Sequence, residues 1–148
     1  MKCREMTGEV YQQLSREHSE ICELATTLLR ILVEQQQPAT RVSHLFQRLC
    51  EQVSLHFADE ESTGIFEQVG RSTPHLEPVS QRLLAEHAEL IEKLELLRDC
   101  ACQGDLTRYV WDELERGFRE FIQRLARHEY RESEVRHVVW QSGPNSEP

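Results

Sequence analysis

Four histidines fall one per quarter of the chain, and two of them are followed four residues later by a glutamate. They are His18, His56 with Glu60 (HFADE), His87, and His128 with Glu132 (HEYRE). The intervals of 38, 31 and 41 residues match one helix plus a connection. On a helix, positions i and i+4 lie about 40° apart on one face, so each pair points a nitrogen and a carboxylate the same way. Four such helices folded together aim four imidazoles and two carboxylates at one interior point. A lone histidine on an apolar face is usually a satisfied core residue, whereas four, one per helix, form a pattern. Buried ionisable groups are costly unless they are paired or coordinate a metal. Imidazole and carboxylate together suit borderline metals such as iron, manganese and zinc. A glutamate can span two cations with its two oxygens, whereas a neutral histidine caps one. The spacing therefore predicts a dinuclear site in which Glu60 and Glu132 bridge and His18, His56, His87 and His128 are terminal ligands. Two carboxylates and a hydroxide leave two divalent ions with a single excess positive charge. Without metal, one of the two facing carboxylates must hold a proton.

Four amphipathic helices are needed to carry these residues. The first runs from Thr7, a plausible cap, to about Gln36, with Leu14, Ile21, Ala25, Leu28 and Leu32 at three- and four-residue steps around His18. The second begins after Thr40, carries Val42, Leu45, Leu49 and Val53, loosens at Ser62-Thr63-Gly64 and ends by Gly70. The segment GRSTPHLEP reads as the longest connection. The third helix spans Glu77 to Cys102, and Asp105 caps a fourth that fades near Trp140. Short connections between such helices favour an all-α, up-down-up-down antiparallel four-helix bundle over residues 8–140. Residues 1–7 are an N-terminal segment, and residues 141–148 read as a disordered tail.

The other histidines act as a control. His44 lies about 120° off the face of His56, His137 about 180° off that of His128, and His75 falls in the proline-containing connection, so all three are expected at the surface. Three further residues are candidates for extra or supporting ligands: Glu61, about 100° from Glu60, which needs the helix to loosen near Gly64; Cys22, one turn after His18, whose thiol borders the site; and Tyr11, two turns before His18 and toward the bundle end. Ser15, Val53, Leu84 and Leu125 stand three before the four histidines, so the Glu-x-x-His motif of ferritin-like di-iron bundles is absent.

A net charge of −9 spread along the helices argues against nucleic-acid binding. No apolar stretch reaches the ~20 residues of a membrane span, and MKCREMTGEV lacks the apolar core of a signal peptide, so a cytoplasmic protein is expected. Five cysteines (Cys3, Cys22, Cys50, Cys100, Cys102) without a secretion signal are expected to be reduced thiols.

The ordered set His18, His56-x3-Glu60, His87, His128-x3-Glu132 resembles the hemerythrin-like (HHE cation-binding) domains. The adjacent acids of HFADEE and the pairs Glu17-His18 and Glu86-His87 add to the likeness, which covers about residues 8–140. The resemblance implies a four-helix bundle holding two iron ions joined by an oxo or hydroxo bridge, with zinc or manganese as alternatives. Oxygen-carrying members have a second histidine four residues from the first on the third helix, where this chain has Leu83 and Ile91 around His87. Their His-x4-Asp on the fourth helix is replaced by Ser133, with the acid one residue earlier at Glu132. Two six-coordinate irons would then keep two open positions rather than one. The resemblance thus implies binding of, or reaction with, oxygen, nitric oxide or peroxide in sensing, stress response or iron homeostasis, rather than simple oxygen carriage. A peroxidase- or ferroxidase-type enzyme and a structural metal bundle are the competing readings. The partner is a small gaseous or peroxide molecule, with no nucleic acid or membrane expected.

Overall fold

The computed structural model describes residues 8–141, and among these it contains helices and no strand. In chain order they are α1 (Gly8–Glu34), α2 (Ala39–Ser62), α3 (Ile65–Ser72), α4 (Glu77–Ala101) and α5 (Arg108–Gln141), with one 3-10 turn at Pro74–Leu76. Thr7, the segment before it and the tail from residue 142 lie outside the described residues. The apolar stripes form the buried faces as expected: α1 buries Leu14, Ile21, Ala25, Leu28 and Leu32, with Val10, Leu24 and Ile31 beside them. Pro38 leads into α2 in an extended conformation, which suits a residue with fixed φ and no N–H to donate.

Three boundaries differ from the sequence expectation. The second helix does not merely loosen after Ser62. It breaks, because Gly64 takes a left-handed conformation (φ +69°) and a new short helix, α3, sets off from it. Thr63 secures the elbow, its hydroxyl donating to Glu60 O at 2.6 Å and accepting from Ile65 N at 3.3 Å. The connection GRSTPHLEP is mostly helical. Its prolines sit in the first turns of the 3-10 turn and of α4, where a missing N–H removes no helical hydrogen bond. Finally, α5 starts at Arg108, not after Asp105. Thr107 is the cap, its hydroxyl accepting Val110 N at 3.3 Å.

The four long helices close a ring: α1 packs on α2 and α5, and α4 packs on the same two. The contacts join starts to ends, as in Gln13 with Asp59 (3.2 Å), Gln35 just past α1 with Asp112 (2.9 Å), and Arg98 with Gln47 (3.1 Å). Helix α3 lies across α4 and α5 at one end of the ring, tied down by Ser80 Oγ donating to Phe66 O at 2.7 Å.

Two apolar clusters result. The larger runs along the ring interior and includes Phe46, Phe57, Phe118 and Phe121. The smaller is built around α3, from Ile65, Phe66 and Val69 with Leu83 and Val135. The ionisable residues occupy the layer between them. Along α4 the order is Leu83, His87, Leu90; along α5 it is Leu125, His128, Glu132, Val135. Among the described residues no helix is long and apolar enough to cross a membrane.

Candidate metal centre

The sandwiched layer holds two groups whose ligand-capable atoms lie within 4.8 Å of one another in each group: Glu60, His87, His128 and Glu132, and His18, His56 and Glu129. All six residues predicted from spacing therefore meet in one layer, joined by Glu129. The first, inner group is wholly buried, each residue being 3% exposed or less. The second, outer group reaches solvent through His18, whose side chain is 43% exposed.

Glu60 connects the groups. Its Oε1 lies 2.8 Å from His56 Nε2 and its Oε2 3.4 Å from His87 Nε2. Glu132 instead turns both oxygens inward, Oε1 to His87 Nε2 at 3.7 Å and Oε2 to His128 Nε2 at 3.4 Å. The spanning geometry expected of both glutamates is thus seen at Glu60, while Glu132 faces the inner group alone. Glu129 serves the outer group, with Oε2 at 3.7 Å from His18 Nδ1 and Oε1 at 3.6 Å from His56 Nε2. Helix α5 packs on both α1 and α4, so its neighbours His128 and Glu129, about 100° apart, can serve different groups.

These close approaches are not hydrogen bonds. Both oxygens of Glu60, both ring nitrogens of His56, Nε2 of His87 and of His128, and Oε2 of Glu132 are buried without an aligned partner. Nearly every buried polar atom in a folded protein finds a partner. A knot of unpartnered nitrogen and oxygen atoms converging on one layer is what a cation would satisfy once the ring protons leave, so the donor set fits a metal.

Electrostatics point the same way. Burial drives the Glu60 carboxyl up toward its protonated form, outweighing the histidines beside it. Burial also pushes on Glu132, but His128 and His87 overcome it and hold Glu132 well below the usual carboxylate range. One of the facing carboxylates thus tends to keep a proton in the metal-free chain. Burial disfavours charge on His56, yet Glu129 and Glu60 override it and raise its pKa to about 10. His87 is raised to about 9 against the same burial, by Glu132 and Glu60. Glu17 has both oxygens buried and unpartnered, with Oε1 3.7 Å from His56 Nδ1. Burial and the neighbouring Asp59 lift it to about 7.

Aromatic rings wall the inner group. Phe57 stacks on His87 with centroids 4.0 Å apart and planes 3° from parallel, and Phe66 of α3 meets the same ring edge-on at 5.5 Å.

The three candidate extra ligands fall outside both groups. Glu61 is exposed and lies behind His87, its Oε1 3.3 Å from Nδ1 rather than at the converging nitrogen. Cys22 is an exposed thiol whose Sγ is 3.6 Å from His18 Nε2, bordering the outer group. Tyr11 is 58% exposed and lines no interior surface, because two turns along α1 carry it clear of the layer. His44, His75 and His137 are exposed and belong to neither group, as the face argument required. The four described cysteines are free thiols, and Cys3 lies outside the described residues.

Sequence reasoning missed Glu129. It follows His128 directly and stands three residues before Glu132, a position that a search for His-x3-Glu alone passes over. A family model described as hemerythrin HHE cation binding domain matches residues 9–137. Comparison with curated proteins and with solved structures finds no match.

Proposed function

The chain belongs to the hemerythrin HHE cation-binding domain family, and from that premise we propose that its two residue groups hold a pair of iron ions. The ions bind or react with oxygen, nitric oxide or peroxide, in sensing, stress response or iron homeostasis rather than simple oxygen carriage. The observation that carries this reading is the convergence of buried, unpartnered nitrogen and oxygen atoms from four helices on one layer. In it His87, His128 and Glu132 would hold the inner ion, His18, His56 and Glu129 would hold the outer one, and Glu60 would be shared between them. With Glu129 counted, three carboxylates and one hydroxide neutralise two divalent ions, which removes the positive charge left by the sequence assignment. Iron there supplies one-electron redox chemistry and open coordination positions.

The protein's own residues set access. Phe57 and Phe66 keep water from the inner group, while exposed His18 leaves the outer group open to a small molecule. The matching architecture is the up-down-up-down antiparallel four-helix bundle, supported by the start-to-end contacts between neighbouring helices. A cytoplasmic setting and a gaseous or peroxide partner complete the proposal.

The test is the optical spectrum of anaerobic, iron(II)-loaded protein as air is admitted and then removed. A persistent change that argon does not reverse is the expected outcome and means redox turnover or oxidative sensing. A fully reversible change would mean a carrier or reversible sensor. A chain that takes up no iron would overturn the reading. Peroxidase- or ferroxidase-type turnover is the second reading, favoured by the Cys22 thiol against His18. Repeated turnover with a reductant that Cys22→Ser abolishes would select it.

A further inference from the structure

We propose that Glu86, clamped by Arg131, is a positioning residue that fixes the tautomer of His128 and thereby sets the affinity of the inner metal position. The inference rests on the di-metal reading above. Glu86 precedes His87 on α4 and is nearly buried, yet its carboxylate belongs to neither ligand group. It is aimed at the back of His128, with Oε2 2.8 Å from Nδ1. The other oxygen, Oε1, accepts from the Arg131 guanidinium at 2.6 Å and lies 3.5 Å from Arg82 Nε.

A guanidinium is always charged, and its grip keeps Glu86 a carboxylate. A carboxylate can only accept, so the hydrogen between the two residues sits on His128 Nδ1. In the neutral imidazole, the form that coordinates, Nε2 is then the lone pair. That nitrogen is the fully buried, unpartnered atom 3.4 Å from Glu132. The opposite tautomer would place an N–H inside the ligand group and block coordination. The anion behind the ring also makes the imidazole a stronger donor.

The remaining histidines are held less firmly. His87 Nδ1 has Glu61 at 3.3 Å, but that carboxylate is 45% exposed and screened by solvent. His56 Nδ1 has no hydrogen-bond partner. His128 is therefore the ligand whose orientation is enforced from behind, and the position it serves is preorganised before metal arrives.

The test titrates cobalt(II) into metal-free full-length wild type, Glu86→Ala and Glu86→Gln, read by calorimetry and by the visible absorption of bound cobalt. Wild type is expected to fill two positions. In Glu86→Ala one of them should weaken by about 10–100-fold while the other is unchanged. In Glu86→Gln, whose amide oxygen can still accept from His128, the loss should be smaller. Far-UV circular dichroism should show the helices retained. Unchanged affinities in Glu86→Ala overturn the proposal. Equal weakening of both positions, or loss of helix in both variants, also overturns it, because that is how a merely structural carboxylate behaves. A wild type that binds no cobalt overturns the di-metal reading itself and is seen before any variant is compared.

Discussion

Glu60→Gln separates a ligand layer from an ion-pair layer built only to hold the helices together. Glu60 is 2% exposed, stands 2.8 Å from His56 and 3.4 Å from His87, and has the Glu132 carboxylate beside it. If the layer were structural, removing one partner of a buried pair would cost about 3–5 kcal/mol. For a chain of this size, at roughly 3–4 °C per kcal/mol, that lowers Tm by about 10–20 °C. The geometry argues for a far smaller effect. Burial already drives Glu60 toward its neutral form in the metal-free chain, and glutamine copies that form at nearly the same volume. The metal-free variant should therefore melt within about 4 °C of wild type, a change of about 1 kcal/mol or less.

The metal-bound protein should behave differently. A ligand at one hundred times its Kd stabilises by about 2.7 kcal/mol, worth a Tm rise of about 8–11 °C in wild type. Glutamine has a single acceptor oxygen and no charge, so it cannot span two cations, and the metal-induced rise should fall to half or less. The assay is scanning calorimetry of metal-free and iron(II)-saturated samples under argon. A metal-free loss of 10 °C or more, together with an undiminished metal-induced rise, would refute the ligand reasoning and leave a structural ion-pair layer.

Four further outcomes follow from particular contacts. His56→Ala should lower bound metal by at least one ion per chain while His44→Ala leaves it unchanged, and equal metal content by elemental analysis would sink the assignment. Glu129→Gln should reduce two bound ions to one, because the inner group keeps its own four residues; retention of two would show that Glu129 is dispensable. Gly64→Ala should cost about 1–2 kcal/mol for a side chain in the left-handed region, visible as a Tm loss of about 3–8 °C, and an unchanged Tm would mean the elbow relaxes freely. Burial pushes the Cys50 thiol up to about 11 from the ordinary 9.0, so the fold binds that proton more tightly than the unfolded chain. Its stability contribution is full below pH 9 and is lost as pH rises through 11, and mass spectrometry at pH 8 should find exposed Cys22 and Cys102 alkylated well before Cys50.

The helices were legible because three- and four-residue steps of apolar residues leave few alternatives, and each stripe predicted a buried face that forms. What composition could not supply was the outcome of local competition. Ser62-Thr63-Gly64 reads as a weak point, but whether it bends or breaks depends on what the following residues can cover. Phe66 and Val69 find α4 and α5 to pack against, and that burial outweighs the helical bonds lost at the elbow. Thr107 outcompetes Asp105 as the cap because α5 begins only after Leu106, which is drawn against the main core.

The same distinction runs through the site. Residue identity and helix face were readable, since His-x3-Glu puts both side chains on one face; the common height depends on helix boundaries that spacing alone leaves open by several residues. Orientation within the layer was not readable, because a carboxylate turns toward whichever neighbours its helix meets. Glu60 stands one turn beyond His56 on α2 and also meets His87 of α4, so its two oxygens find rings of different groups. Glu132 lies one turn beyond His128 on the face of α5 that meets α4, and both of its oxygens find the same two rings. The place left on the α1 side of α5 falls to Glu129, about 60° back around the helix from Glu132. Spanning therefore depends on which rings each carboxylate meets, His56 and His87 for Glu60 but His87 and His128 for Glu132, not on the His-x3-Glu motif that the two glutamates share.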